Sequence, residues 1–167
     1  SAKSAFLYEI FRWHMQYGGF SFLLENEGKD SPELRHSILQ WHPDWLSRMG
    51  KLPTHSLEDW QEGMTNFIAG AKTQWDAKDG PGRTIPLCIG VDSLMATATR
   101  AQITKIMKEG HASRGFPEAA LLISNFMRTM PQQIEQYPIT IIGTNHLKPG
   151  TTAQGLPTQN VPGGKSV

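Results

Sequence analysis

The sequence predicts an α/β domain with a mostly parallel sheet flanked by helices, and three observations lead there. Ile85-Pro-Leu-Cys-Ile-Gly-Val91 is an almost unbroken apolar run, as expected for a strand covered on both faces. Similar short runs at Phe20–Leu24 and Pro138–Ile142 alternate with segments of helical periodicity. Each of the three runs ends in polar residues: Glu25 and Glu27, Asp92 and Ser93, Asn145 and His146. In a parallel sheet those ends share one edge, where α/β folds bind ligands.

The elements follow in order. Phe6, Leu7, Ile10, Phe11, His14 and Met15 recur with helical spacing, and Gly18-Gly19 ends that helix. The first strand, Phe20–Leu24, comes next. Ser31 before Pro32 is an N-cap and first helical residue, starting a helix toward Gln40. Residues 41–54 read as irregular, with a short strand near Leu52. Ser56-Leu-Glu-Asp59 is a capping box, and it launches a helix with Leu57, Trp60, Met64, Phe67, Ile68, Ala71 and Trp75 on one stripe. That stripe has the composition of core packing. Leu94–Gly115 shows only a weak pattern. Phe116, Ala120, Ile123, Met127, Met130 and Ile134 mark another helix, with Pro117 in its first turn. Pro149–Pro162 is rich in Gly, Pro, Thr and Gln and reads as a loop.

With 167 residues the chain suits one domain, and its net charge of +1 selects neither nucleic acid nor membrane. The single cysteine, Cys88, excludes an internal disulfide and suits a reducing compartment, so a cytoplasmic location is expected. No apolar run is long enough for a bilayer, so no membrane partner is expected. The chain reads as a piece of a longer protein, with a first strand and later strands outside it.

Lys3-Ser4 opens the first helix, as the last residues of a phosphate-binding P-loop do. In such a loop the lysine meets the β- and γ-phosphates and the hydroxyl binds Mg²⁺. Asp92 at the end of a buried strand would complete the cation site. The competing reading is that Asp92-Ser93 only opens a turn. A cation, metal ligands, a carboxylate base and a hydrogen-bonding sensor on one edge are together the parts for phosphoryl transfer to water.

The order Lys3-Ser4, Glu27, Ser56-Leu-Glu58, Val91-Asp-Ser93, Asn145-His146 and Gly163-Gly164 resembles the RecA-type recombinase ATPase core, most of all its phage UvsX-like branch. The likeness spans nearly the whole chain, starts inside the P-loop, and lies in order and spacing. It implies a RecA-like P-loop NTPase core over residues 1–167, truncated at both ends. It also implies a DNA-stimulated ATPase using ATP and Mg²⁺, in the host cytoplasm if phage-encoded. Lys3 would contact the terminal phosphates, Ser4 and Asp92 would hold Mg²⁺, and Ser93 and Asn145 would line the nucleotide. Glu27 would polarise the attacking water, with Glu25 as the alternative base. His146 would sense the γ-phosphate.

Arg100, Lys105, Lys108 and Arg114 form a local basic stretch suited to phosphate contacts, though a plain solvated segment has the same composition. By resemblance, residues 93–116 correspond to a first DNA-binding loop and 148–164 to a second. Arg128, Gly163, Gly164 and Lys165 match further DNA-contacting positions. Arg83, Lys148 and Lys165 are candidates for contacts to ATP across a protomer interface. The implied partners are single- and double-stranded DNA, further copies in a helical filament, and loader or single-strand-binding proteins. Two other readings stay open: a hexameric helicase motor of the same fold, and a non-catalytic DNA-binding filament paralogue.

Overall fold

The structure is a computed structural model that describes residues 2–26, 31–94, 98–110, 117–145, 148–151 and 157–160. Its elements are α1 (Ala2–Gln16), β1 (Phe20–Glu25), α2 (Pro32–Leu39), α3 (Trp45–Arg48), β2 (Met49–Pro53) and α4 (Leu57–Asp76). These are followed by β3 (Leu87–Asp92), α5 (Arg100–Glu109), α6 (Pro117–Ile134), β4 (Ile139–Gly143), β5 (Lys148–Thr151) and β6 (Pro157–Asn160).

Four strands form one all-parallel sheet in the order β2-β1-β3-β4, so the fold is α/β with helices against the sheet. Strand β3 is buried along Leu87–Val91, as its unbroken apolar run predicts. Strand pairing puts alternate residues on opposite faces. Leu23 and Cys88 face α1 and α2, packing with Leu7, Tyr8, Phe11, Met15 and Leu39. Leu24, Leu87, Ile89 and Val91 face the other way, onto Trp60, Met64 and Ile68 of α4 and Ile123 and Met130 of α6. Two apolar clusters on two faces make a three-layer sandwich.

Local chemistry accounts for the helix starts. Ser31 Oγ accepts from Leu34 N–H at 3.1 Å, with Pro32 in the first turn of α2. At α4, Asp59 N–H donates to Ser56 Oγ at 3.1 Å while Ser56 N–H donates to Asp59 Oδ2 at 2.9 Å, the reciprocal capping box expected there. Gly90 lies beneath α1, where a Cβ would stand 2.5 Å from Phe11 Cζ and 2.9 Å from Leu7 Cδ1. Its lack of a side chain lets α1 settle close to β3, which sets the distance between the start of that helix and Asp92.

Four expectations are corrected. Helix α5 occupies Arg100–Glu109, within the stretch of weak pattern. It buries only Gln102, its apolar set Ile103, Ile106 and Met107 covers little more than one turn, and it is defined by a Thr99–Gln102 capping box and by Gly110 at φ 71°. Residues 148–151 and 157–160 pair as antiparallel β5 and β6 within the segment expected to be a loop. The irregular region holds the short helix α3 as well as β2. On α1 the buried set is Leu7, Tyr8, Phe11 and Met15, and Phe6 is 69% exposed, because the sheet touches a face rotated from the predicted one. Among the described residues, no helix is long and apolar enough to cross a membrane.

Candidate phosphate and cation site

The chain leaves β1 through α2 and α3 to reach β2 on one side. It then returns by α4 to β3 and continues through α5 and α6 to β4 on the other side. The connection direction therefore reverses between β1 and β3. The carboxyl ends of strands at such a reversal open a crevice, the usual ligand position in a parallel α/β sheet.

Five of the sequence-predicted residues meet at that edge: Lys3, Ser4, Asp92, Ser93 and Asn145. Lys3 and Ser4 lie in the first turn of α1, where helix N–H groups and dipole favour an anion. Ser4 Oγ donates to Asp92 Oδ2 at 2.6 Å, although 88 residues separate them. Lys3 Nζ donates to the Asn145 carbonyl oxygen at 3.3 Å, just past the end of β4. Ser93 is fully buried behind Asp92, and the peptide bond between them is cis.

Three further residues complete the edge. Thr144 Oγ1 donates to Asp92 Oδ1 at 2.5 Å, so both carboxylate oxygens of Asp92 accept from hydroxyls. Asn26 hydrogen-bonds both main-chain groups of Ser93, accepting from its N–H at 2.7 Å and donating to its carbonyl at 2.6 Å. Thr54, one residue past β2, donates to the Glu25 carbonyl through its N–H at 2.8 Å and through Oγ1 at 3.2 Å. Thr144 carries a weak sequence signal, a hydroxyl between a strand and Asn145. Asn26 and Thr54 carry none, since each acts on a main-chain group of a distant strand.

Glu25 is the register partner of Asp92 in the parallel pair, which puts both acids on the α1 face of the sheet. Glu25 is only 6% exposed, and Lys51 Nζ of β2 lies 3.8 Å from its carboxylate. That ion pair offsets the repulsion between two carboxylates on adjacent strands. Glu27, His146, Arg114, Gly163, Gly164 and Lys165 lie outside the described residues.

The basic candidates differ among themselves. The Arg100 guanidinium donates to Asp59 Oδ1 at 2.6 Å and to Glu62 Oε1 and Oε2 at 3.0 and 2.9 Å, tying α5 to α4. A DNA phosphate would have to compete with two carboxylates for it. Lys105 is 3.9 Å from Glu109, and Lys108 and Arg128 are exposed. Arg83 donates to Asp76 Oδ1 at 3.0 Å, beyond the far end of α4 from this site.

The hydrogen bond from Arg100 holds Asp59 below the usual carboxylate range. A depressed carboxylate pKa in the folded state stabilises the fold above the unfolded value of about 3.9 and loses that contribution as pH falls through the folded value. Arg100→Gln is expected to bring the Asp59 titration back up toward the ordinary range, as read by carboxyl NMR. An unchanged titration would show that the pair does not persist in solution.

The donor set at the edge consists of hard oxygens from Ser4 and Asp92, which suits Mg²⁺ held jointly with phosphate oxygens and water. Among the described residues there is no group of three His, Cys, Asp or Glu side chains that could cage a metal ion. Burial pushes the Cys88 thiol up to about 12, so it is no nucleophile. An apolar cavity of 420 Å³ among Phe20, Phe67, Trp75, Pro86 and Leu87 lies toward the opposite end of the strands, away from this chemistry. No family model matches the chain, and no curated protein is significantly similar to it.

Proposed function

We propose that this chain is the RecA-like P-loop NTPase core of a DNA-dependent ATPase that polymerises on single-stranded DNA and exchanges strands. The observation that carries this reading is the 2.6 Å hydrogen bond from Ser4 to Asp92 at the topological reversal of the sheet. It joins a Lys-Ser pair on a helix N-terminus to the acid of a buried strand, the pairing that nucleotide-bound Mg²⁺ requires.

In this mechanism the Lys3 ammonium neutralises the terminal phosphates of ATP, and the first turn of α1 presents its N–H groups to them. Ser4 and Asp92 hold Mg²⁺, which when bound offsets negative charge on the β- and γ-phosphates. Asn145, whose carbonyl accepts from Lys3, lines the same nucleotide. Glu27 accepts the proton of the attacking water, and His146 reads the γ-phosphate and passes its state to residues 148–164. Lys105, Lys108 and Arg128, together with Arg114, Gly163, Gly164 and Lys165, contact the DNA backbone, so binding depends little on sequence.

The deciding experiment is ATP hydrolysis by the intact protein with and without single-stranded DNA, beside Glu27→Gln. Stimulation by DNA that Glu27→Gln abolishes is the expected result. No stimulation would overturn the reading, and closed hexamers in place of filaments by electron microscopy would assign the same site to a helicase motor.

A further inference from the structure

We propose that Asn26 is a positioning residue for the cation site, fixing where Asp92 points through a two-bond clamp on the Ser93 main chain. This rests on the nucleotide-dependent reading of the site.

The geometry carries the inference. Asn26 follows the last residue of β1, and its own N–H donates to the Asp92 carbonyl at 3.2 Å. Its side-chain Nδ2 donates to the Ser93 carbonyl at 2.6 Å, and its Oδ1 accepts from the Ser93 N–H at 2.7 Å. Each end of the carboxamide faces its complement, so turning the group over would set acceptor against acceptor and donor against donor. Three hydrogen bonds from one residue therefore grip the main chain directly after the Asp92 Cα, on both sides of the Ser93 Cα.

The side-chain side of Asp92 is held separately, by Ser4 and Thr144. These two hydroxyls are the groups that must give way or share when a cation takes the carboxylate. The Asn26 clamp is not, because its three hydrogen bonds reach main-chain atoms and not the carboxylate. It can therefore keep Asp92 in place while the ligands in front of it exchange.

Only an amide can serve both Ser93 groups at neutral pH. An aspartate would turn a carboxylate oxygen toward the Ser93 carbonyl, and a leucine of similar size would remove both of these hydrogen bonds.

The test compares the intact wild-type protein with Asn26→Leu, and with Asn26→Ala if the leucine variant fails to fold. The Mg²⁺ concentration for half-maximal ATP hydrolysis is expected to rise about 10- to 100-fold, as for other residues that orient a metal ligand, with the KM for ATP at saturating Mg²⁺ within about twofold. Independently of activity, the Ser93 amide is expected to exchange its hydrogen at least tenfold faster, with Cys88 and Ile89 unchanged. A variant with a lowered melting temperature but wild-type Mg²⁺ dependence would overturn the proposal and leave Asn26 a structural turn residue. Unchanged Ser93 exchange would overturn the clamp itself. Absence of hydrolysis by the wild type would count against the nucleotide reading, and the exchange measurement would still decide the clamp.

Discussion

Asp92→Asn is expected to lower Mg²⁺-dependent ATP hydrolysis by about 10²- to 10³-fold, the scale seen when a preorganised electrostatic group is removed from a reacting centre. The substitution is nearly isosteric, and Ser4 and Thr144 can still hydrogen-bond to the amide, so the fold should persist. What disappears is the negative charge that holds the cation against the β- and γ-phosphates. The loss should therefore appear mainly in kcat and in the Mg²⁺ requirement. Hydrolysis at the wild-type rate would remove Asp92 from the cation site and return Asp92-Ser93 to the role of a turn.

The second large effect lies in the core. Trp60 is fully buried and meets the Phe126 ring edge-on at 5.2 Å, joining α4 to α6 against the sheet. Trp60→Ala is expected to cost about 3–5 kcal/mol through lost contacts and the cavity left behind. With urea slopes of about 1–3 kcal/mol per molar, the unfolding midpoint should fall by roughly 2 M. Among the described residues the indole Nε1 is buried without a hydrogen-bond acceptor, an arrangement that itself costs about 1–3 kcal/mol. Trp60→Phe removes that group together with part of the ring, so its midpoint should lie much closer to the wild type. Equal losses for Phe and Ala would show that the indole N–H is satisfied in solution.

Trp60 and Asp92 are signalled by the sequence in different ways. Trp60 was legible at once, since Leu57, Trp60, Met64, Ile68 and Trp75 repeat with helical spacing behind a capping box. Asp92 was legible because an acid ends an apolar run, and Lys3 and Ser4 because they open a helix. Helix α5 is hard to read because its apolar set, Ile103, Ile106 and Met107, covers little more than one turn among charged residues. Strands β5 and β6 were hidden because Gly, Pro and Thr composition signals turns more strongly than pairing. Arg100 looked like a free cation in the sequence, but Asp59 and Glu62, both far from it in sequence, engage it across the α4–α5 contact.

The sequence by itself determined what depends on neighbours in the chain: the helix periods, the caps at Ser31 and Ser56, the doubly buried β3, and the polar ends of three strands. Those signals are local, because helix and strand repeats and capping geometry are completed within a few residues. Tertiary structure alone decided the strand order β2-β1-β3-β4 and the reversal between β1 and β3 that makes the crevice. It also decided the hydrogen bonds from Ser4 and Thr144 to Asp92 and from Asn26 to Ser93. Those partners lie 88, 52 and 67 residues apart. No local pattern encodes such a distance, and only the packing of α1 and three parallel strands onto one edge brings the groups within reach of one another.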